Sequence, residues 1–209
     1  MKKIIIIGLL TCTLFSCSTK KEEPNTHSTA KKVATDSLNE SIFNLTSKWH
    51  TEEGKEIELK ELKGKVLVMV MIYTTCKVAC PRLVADMQNI AKKIPQDKTK
   101  EIQYVLVSID PKNDTPKRLK AFAIENFMDG DEWTFLQGDE NSVREFANVL
   151  SVKYKEIAPM DFSHSNIISV FNQEGVLVHQ QEGLGVNNKE IIASILENTK
   201  AKQALLINK

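Results

Sequence analysis

VLVMVMIYTTCKVACP, residues 66–81, places two cysteines directly after a run of eight apolar residues. The run does not alternate with polar residues and is rich in β-branched types, which predicts a strand buried on both faces in the centre of a sheet. Pro81 suits the first turn of a helix, because the N–H that proline lacks would have no partner there. Apolar residues at helical spacing then predict a helix over 81–94. Cys76 and Cys80 therefore lie between a central strand and the start of a helix.

Strands and helices alternate along the rest of the chain. The pattern predicts a hairpin or a strand and turn over 42–62, a strand over 102–109, a helix from Thr115-Pro116, a strand over 133–136, a third helix through 143–150, a polar loop over 159–166, a hairpin of 167–171 with 176–179, and a closing helix from about Asn188. This order predicts an α/β, thioredoxin-like three-layer fold. Its central sheet is mixed, with an N-terminal β extension and a C-terminal hairpin plus helix.

Length and charge narrow the class of protein. The chain has 209 residues, which predicts one domain with some additional material. Lysine and arginine number 28 against 27 acidic residues, and the charges are spread without a sustained block of one sign. This balance argues against a nucleic-acid-binding surface.

The N-terminus is typical of an exported lipoprotein. Two lysines precede an apolar run that is too short for a transmembrane helix, so residues 1–16 are predicted to be a signal peptide. Residues 14–17, LFSC, resemble the bacterial lipobox, in which the cysteine is lipidated and becomes the first residue; an ordinary signal peptide is the alternative. We expect Cys17 and the polar residues up to 37 to form an acylated, flexible tether, and residues 38–209 to form the domain. The protein would then be lipid-anchored in the bacterial cell envelope, with its domain outside the cytoplasm.

Cleavage before Cys17 would leave Cys76 and Cys80 as the only free thiols. Disulfides persist outside the cytoplasm, so such a pair is either kept reduced for a purpose or forms a bond that serves one. A helix N-terminus favours the thiolate, and residues four apart on a helix face the same way, so both sulfurs can point at one object. A purely structural disulfide is disfavoured, because so short a loop gives little entropic stabilisation.

A metal site would need a third ligand, for which His164 is the best candidate. Two thiolates with an imidazole suit copper, and the same set is acceptable to zinc. His164 precedes the predicted strand 167–171, where thioredoxin-like folds bring a loop against the dithiol. The alternative is a loop histidine bonded to a backbone carbonyl. The other histidines have less favourable positions: His27 in the tether, His50 before a turn and His179 on a hairpin strand.

Three ordered motifs resemble those of the Sco/SenC family of membrane-tethered copper proteins. They are YTTCKVACP at 73–81, VSIDPKNDTP at 107–116, and the distal His164, within a similarity that covers about residues 40 to 200. The resemblance implies a thioredoxin-like fold that binds Cu(I) or Cu(II) through Cys76, Cys80 and His164. It also implies a role in assembling the binuclear copper centre of cytochrome c oxidase, by copper delivery, thiol reduction or both. The implied partners are the copper-bearing subunit of the oxidase or another copper chaperone.

Two functional hypotheses follow from the sequence. The first is a metallochaperone that holds copper at Cys76, Cys80 and His164. The second is a thiol-disulfide oxidoreductase of the cell envelope that acts on partner cysteines.

Asp110 and Asp114 are interpreted as ending a strand and capping a helix, although Asp110 could also orient a ligand or meet a partner. Asn113 departs from the arginine that the family often has at this position, as Ser163 does from the residues common before the histidine.

Overall fold

The computed structural model describes residues 41–207, with side chains as far as residue 199. The predicted signal peptide, the tether, the lipidation site Cys17, and the ends of the predicted domain at 38–40 and 208–209 lie outside these residues. No helix within 41–207 combines the length and apolar character that crossing a bilayer requires.

Nine strands and four α-helices make up the described part of the chain. The strands are β1 Lys48–Thr51, β2 Glu56–Glu58, β3 Val66–Ile72, β4 Ile102–Ser108, β5 Trp133–Gln137, β6 Tyr154–Ala158, β7 Asp161–His164, β8 Ile167–Phe171 and β9 Leu177–Glu182. The helices are α1 Ala79–Lys92, α2 Pro116–Glu125, α3 Glu140–Val149 and α4 Lys189–Ile207. Short 3-10 helices occupy Ile42–Asn44, Leu59–Leu62 and Thr99–Glu101.

Seven strands form one mixed sheet in the order β2-β1-β5-β4-β3-β8-β9. The three inner strands β5, β4 and β3 run parallel, whereas β1 and β8 flank them in the antiparallel direction. The β1–β2 hairpin, in which Trp49 lies opposite Ile57, is the predicted N-terminal extension. The β8–β9 hairpin followed by α4 is the predicted C-terminal addition. The structure therefore confirms the predicted α/β architecture with a mixed central sheet.

Strand β3 is the buried centre of this sheet. Every residue of β3 is buried, and so is every residue of β4 beside it, because both faces of the sheet are covered. Helix α1 buries Leu83, Met87 and Ile90, which are spaced at i, i+4 and i+7. The loop that joins β3 to α1 consequently starts and ends in rigid, tightly packed elements.

Helix α2 begins as its sequence predicts. The hydroxyl of Thr115 accepts a hydrogen bond from the backbone N–H of Arg118 at 3.3 Å, and Pro116 occupies the first helical position. The cap and the fixed φ of proline both favour initiation here. The loop 109–115 is thereby fixed at the carboxyl end of β4.

The predicted polar loop over 159–166 is wrong for residues 161–164. These residues form β7, which pairs with β6 as a separate two-stranded sheet, with Tyr154 opposite His164 and Ala158 opposite Asp161. The burial of β7 alternates only between exposed and half-buried positions, so its sequence has no strong apolar period. Main-chain pairing with β6, rather than hydrophobic patterning, produces this strand.

Candidate metal centre

The two cysteines lie at the carboxyl end of β3. Cys76 is in the loop after the strand, and Cys80 is the second residue of α1. Cys76 is half-buried and Cys80 is fully buried, and both are free thiols. The Cys76 sulfur is therefore accessible to a reagent or partner, whereas the Cys80 sulfur is not exposed to solvent.

The start of α1 makes the two thiols chemically unequal. The backbone N–H of Cys80 donates to the sulfur of Cys76 at 3.3 Å. Burial raises the pKa of Cys76, but this N–H, the Tyr73 hydroxyl and the N–H of Val78 outweigh burial and hold the pKa below its ordinary value. Burial raises the pKa of Cys80 far above its ordinary range, and the sulfur of Cys76 and the charge of Asp114 add to the effect. Cys76 therefore ionises more readily than Cys80, which keeps its proton at neutral pH.

His164, the last residue of β7, faces the buried cysteine. Its Nε2 lies 3.9 Å from Cys80 Sγ, and its Nδ1 lies 3.1 Å from the carbonyl oxygen of Ser165. A carbonyl only accepts, so this hydrogen bond requires the proton on Nδ1 and leaves the Nε2 lone pair directed at the sulfur. Burial lowers the pKa of His164, although the bond to Ser165 opposes this, and the ring is therefore neutral. One interpretation made from the sequence was a hydrogen bond to a backbone carbonyl, which Nδ1 makes. The other was a metal ligand, for which Nε2 is the available nitrogen.

The loop that joins β3 to α1, residues 73–78, is here called the dithiol loop, and its side chains hold the β6–β7 hairpin in place. The Tyr73 hydroxyl lies 2.8 Å from Asp161 Oδ1 and 3.1 Å from the carbonyl of Phe162. The Tyr73 ring packs edge-on against Phe162 and His164, with centroids 5.2 and 5.8 Å away. The role of Tyr73 was not predicted from the sequence, where the available signal was a polar aromatic residue at the end of an apolar strand. Tyr73 links the segment that leads to the cysteines to β7, the strand that carries the histidine.

A buried carboxylate, that of Asp114, bonds to the dithiol loop at Thr74. Asp114 is completely buried and accepts hydrogen bonds from Thr74 N at 3.1 Å, Thr74 Oγ1 at 2.5 Å and Ser108 Oγ at 2.6 Å. Asp110, also buried, is held by the Asn113 amide, which donates at 3.0 and 2.8 Å to its two oxygens. Asp110 and Asp114 thus have structural contacts, but Thr115 caps α2 and Asp114 instead orients Thr74, two positions before Cys76.

Replacing Asp114 by asparagine should destabilise the domain by about 1–3 kcal/mol at neutral pH, because buried donors lose a charged acceptor. The effect should also depend on pH. Burial raises the pKa of Asp114 above its ordinary 3.8, although hydrogen bonds from Ser108 and Thr74 oppose the rise. The folded state thus binds this proton more tightly than the unfolded state. The carboxyl's contribution to stability therefore falls as pH rises from about 3.8 to the higher pKa of the folded state, and it is constant above that pKa.

Urea unfolding of wild type and Asp114→Asn across this acidic range measures the effect. The wild type minus variant difference in free energy of unfolding should decrease with rising pH and then level off. A difference that grows with rising pH would contradict the assignment. Ser108→Ala provides a control, since it removes one donor but leaves the carboxyl to titrate.

The structure brings Cys80 and His164 together but does not close a three-ligand site. Within the described part of the chain, no three His, Cys, Asp or Glu side chains are gathered closely enough to hold a metal ion. The Cys76 sulfur accepts the N–H of Cys80. The donor set nevertheless fits a soft ion such as Cu(I), with two sulfurs and a neutral imidazole whose free nitrogen faces one of them. His50 on β1 and His179 on β9 belong to other strands of the sheet and do not take part.

Comparison with known proteins identifies the family of this chain. The family model described as SCO1/SenC matches residues 36–200. The SCO1 protein homolog of Bacillus subtilis is 34% identical over 113 residues, which cover 54% of this chain and 57% of that protein. The chain thus spans little more than half the length of this relative.

Solved structures with a similar fold include three Sco proteins. BsSco, described as a member of the Sco family of cytochrome c oxidase assembly proteins in which a disulfide switch was identified, has a TM-score of 0.68 and 26% identity, covering 78% of this chain and 96% of its own. A SCO1/SenC family lipoprotein from Bacillus anthracis has a TM-score of 0.67 and 25% identity, covering 75% and 95%. ScoI of Bradyrhizobium japonicum with copper bound has a TM-score of 0.62 and 22% identity, covering 73% and 96%. These likenesses confirm the predicted thioredoxin-like class.

Proposed function

The chain belongs to the SCO1/SenC family, and on that basis we propose that it binds copper and serves the assembly of the binuclear copper centre of cytochrome c oxidase. The observation that carries the proposal is the 3.9 Å approach of His164 Nε2 to Cys80 Sγ, between residues 84 positions apart in the sequence. A copper-bound relative of the same fold and a relative described as an oxidase assembly protein support it.

Cys76, Cys80 and His164 are the proposed ligands. Copper is the cargo, which suits two thiolates and an imidazole in either of its common oxidation states. Cys76 already favours the thiolate, whereas Cys80 must release its proton to bind. His164 presents Nε2 without losing a proton. Transfer to an acceptor would proceed by exchange of these ligands for the acceptor's cysteines.

Thiol-disulfide exchange is the second candidate activity, and the inequality of the two thiols favours it. A half-exposed thiolate at Cys76 can attack a partner disulfide, and the adjacent Cys80 can then resolve the mixed disulfide. The disulfide switch described for BsSco supports the same chemistry. The two activities use one dithiol, so copper release and disulfide formation can be coupled.

Anchoring to the cell envelope through a lipid on Cys17 is part of the proposal. The lipobox-like residues 14–17 support it, as does a similar solved protein described as a lipoprotein. Ile42, near the start of the described chain, bonds to Gly175 in the β8–β9 turn, which lies at the amino end of β3. A tether that joins the domain there would be attached at the end of β3 opposite to the dithiol.

Copper(I) titration against a chromophoric chelator tests the ligand assignment. His164→Ala should weaken copper affinity by more than about tenfold, since changes around a metal ligand typically cost 10–100-fold and this change removes the ligand itself. His179→Ala is the matched control and should bind as wild type. If His164→Ala bound copper as well as wild type but no longer reduced a partner disulfide, the oxidoreductase function would replace the copper function.

A further inference from the structure

Met160 is held directly beside the dithiol loop. Its carbonyl oxygen accepts a hydrogen bond from Thr75 Oγ1 at 3.0 Å, and Thr75 is the residue before Cys76. The next residue, Asp161, accepts from the hydroxyl of Tyr73 in the same loop. The tip of the β6–β7 hairpin is therefore tied to the loop at two successive residues, and Met160 is at the tip.

The backbone of Met160 is in a conformation that methionine disfavours. Pro159 and Met160 form the turn between the paired residues Ala158 and Asp161, and Met160 has a φ of 62°. After a proline, this turn position favours glycine or asparagine. Another L-residue there is strained, because its Cβ crowds the backbone at positive φ. A strained residue beside a reactive loop motivates a functional hypothesis for its side chain.

The Met160 side chain is an exposed soft donor. It is 51% exposed, whereas the other methionines in the described part of the chain, Met69, Met71, Met87 and Met128, are buried. A thioether is a soft ligand that suits Cu(I), and its unbranched side chain is flexible. Cys80 is fully buried, so an ion that arrives from solvent meets exposed residues around the site before it meets the Cys80 sulfur.

We propose that Met160 is the capture ligand for copper, an inference that rests on the proposed copper function. A bond forms between Cu(I) and the Met160 thioether as a ligand of the copper donor leaves. The Cys76 thiolate then displaces the thioether, and Cys80 releases its proton to solvent as its sulfur binds together with His164. Copper stays Cu(I) throughout, and no electron is transferred.

Stopped-flow mixing of the reduced full-length protein with Cu(I), without oxygen, measures the rate at which the copper–thiolate absorption band appears. Met160→Leu keeps the apolar volume but lacks the sulfur, and should slow loading by about tenfold, within the range over which association rates vary among mutants of one site. Met160→Gly removes the backbone strain together with the sulfur, and should also load slowly while being more stable to heat. Met128→Leu alters a buried methionine and should load at the wild-type rate.

Direct contact is tested by NMR of protein labelled with ¹³C at the methionine methyl groups. In the Cys76→Ser/Cys80→Ser variant, adding Cu(I) should shift the Met160 methyl resonance, identified by its absence when Met160→Leu is added to the same variant. Slow loading and a shifted methyl are both required, and the absence of either overturns the inference. In that case the copper–thiolate band of the wild type still stands as support for the proposed function, whereas a wild type without the band would reject that function itself.

Discussion

Replacing both cysteines, Cys76→Ser together with Cys80→Ser, should abolish copper binding that withstands a Cu(I) chelator. Serine keeps the shape of cysteine, but its hydroxyl is a hard donor that stays protonated at neutral pH, whereas copper in this donor set prefers thiolate. His164 and the proposed capture ligand Met160 would then remain, and a neutral imidazole with a thioether does not retain copper against a chelator. The loss should exceed the roughly 100-fold that a change around a ligand causes.

Copper content after dialysis against a Cu(I) chelator measures this loss. An unprocessed chain also carries Cys12 and Cys17, so any thiol-dependent copper that survives in the unprocessed variant reports those residues. Cys80→Ala together with Cys76→Ser is a useful companion, because it places no hydroxyl in the buried position of Cys80. Stoichiometric copper in both double variants would contradict the proposed centre.

Iodoacetamide should alkylate Cys76 at least about 100-fold faster than Cys80 in the reduced, metal-free protein, because two effects act in the same direction. Cys76 is half-exposed, and the N–H of Cys80 and the Tyr73 hydroxyl stabilise its thiolate. Cys80 has no exposed surface, and burial keeps its sulfur protonated, so alkylation there requires local opening. With rising pH, the Cys76 rate should reach its plateau earlier than that of an ordinary cysteine.

Peptide mapping by mass spectrometry resolves the two rates, since trypsin cleaves at Lys77 and places Cys76 and Cys80 in different peptides. In concentrated urea the rates should converge, which checks that the folded structure causes the difference. Equal rates in the folded protein, or faster alkylation of Cys80, would refute the assignment of Cys76 as the more readily ionised thiol.

Local sequence determined most of the framework around this site. The unbroken apolar run of β3 predicted a strand buried on both faces, because alternation is lost when neither face meets water. Thr115 and Pro116 marked the start of α2 through capping chemistry that acts within one turn of the chain. The position of Cys76 and Cys80 between a strand and a helix likewise followed from neighbouring residues.

Only the tertiary structure decided how distant residues meet. The β6–β7 hairpin has a weak apolar period, and the Tyr73 hydroxyl that holds it contacts residues 88 and 89 positions away. The approach of His164 to Cys80, the burial that separates the two thiols, and the support of Thr74 by Asp114 also depend on residues far apart in the chain. Hydrogen-bond distances and burial depend on the folded surroundings, whereas periodicity and capping depend on neighbouring residues. The sequence therefore identified the chemical groups of the site, and the tertiary structure decided their distances and their ease of ionisation.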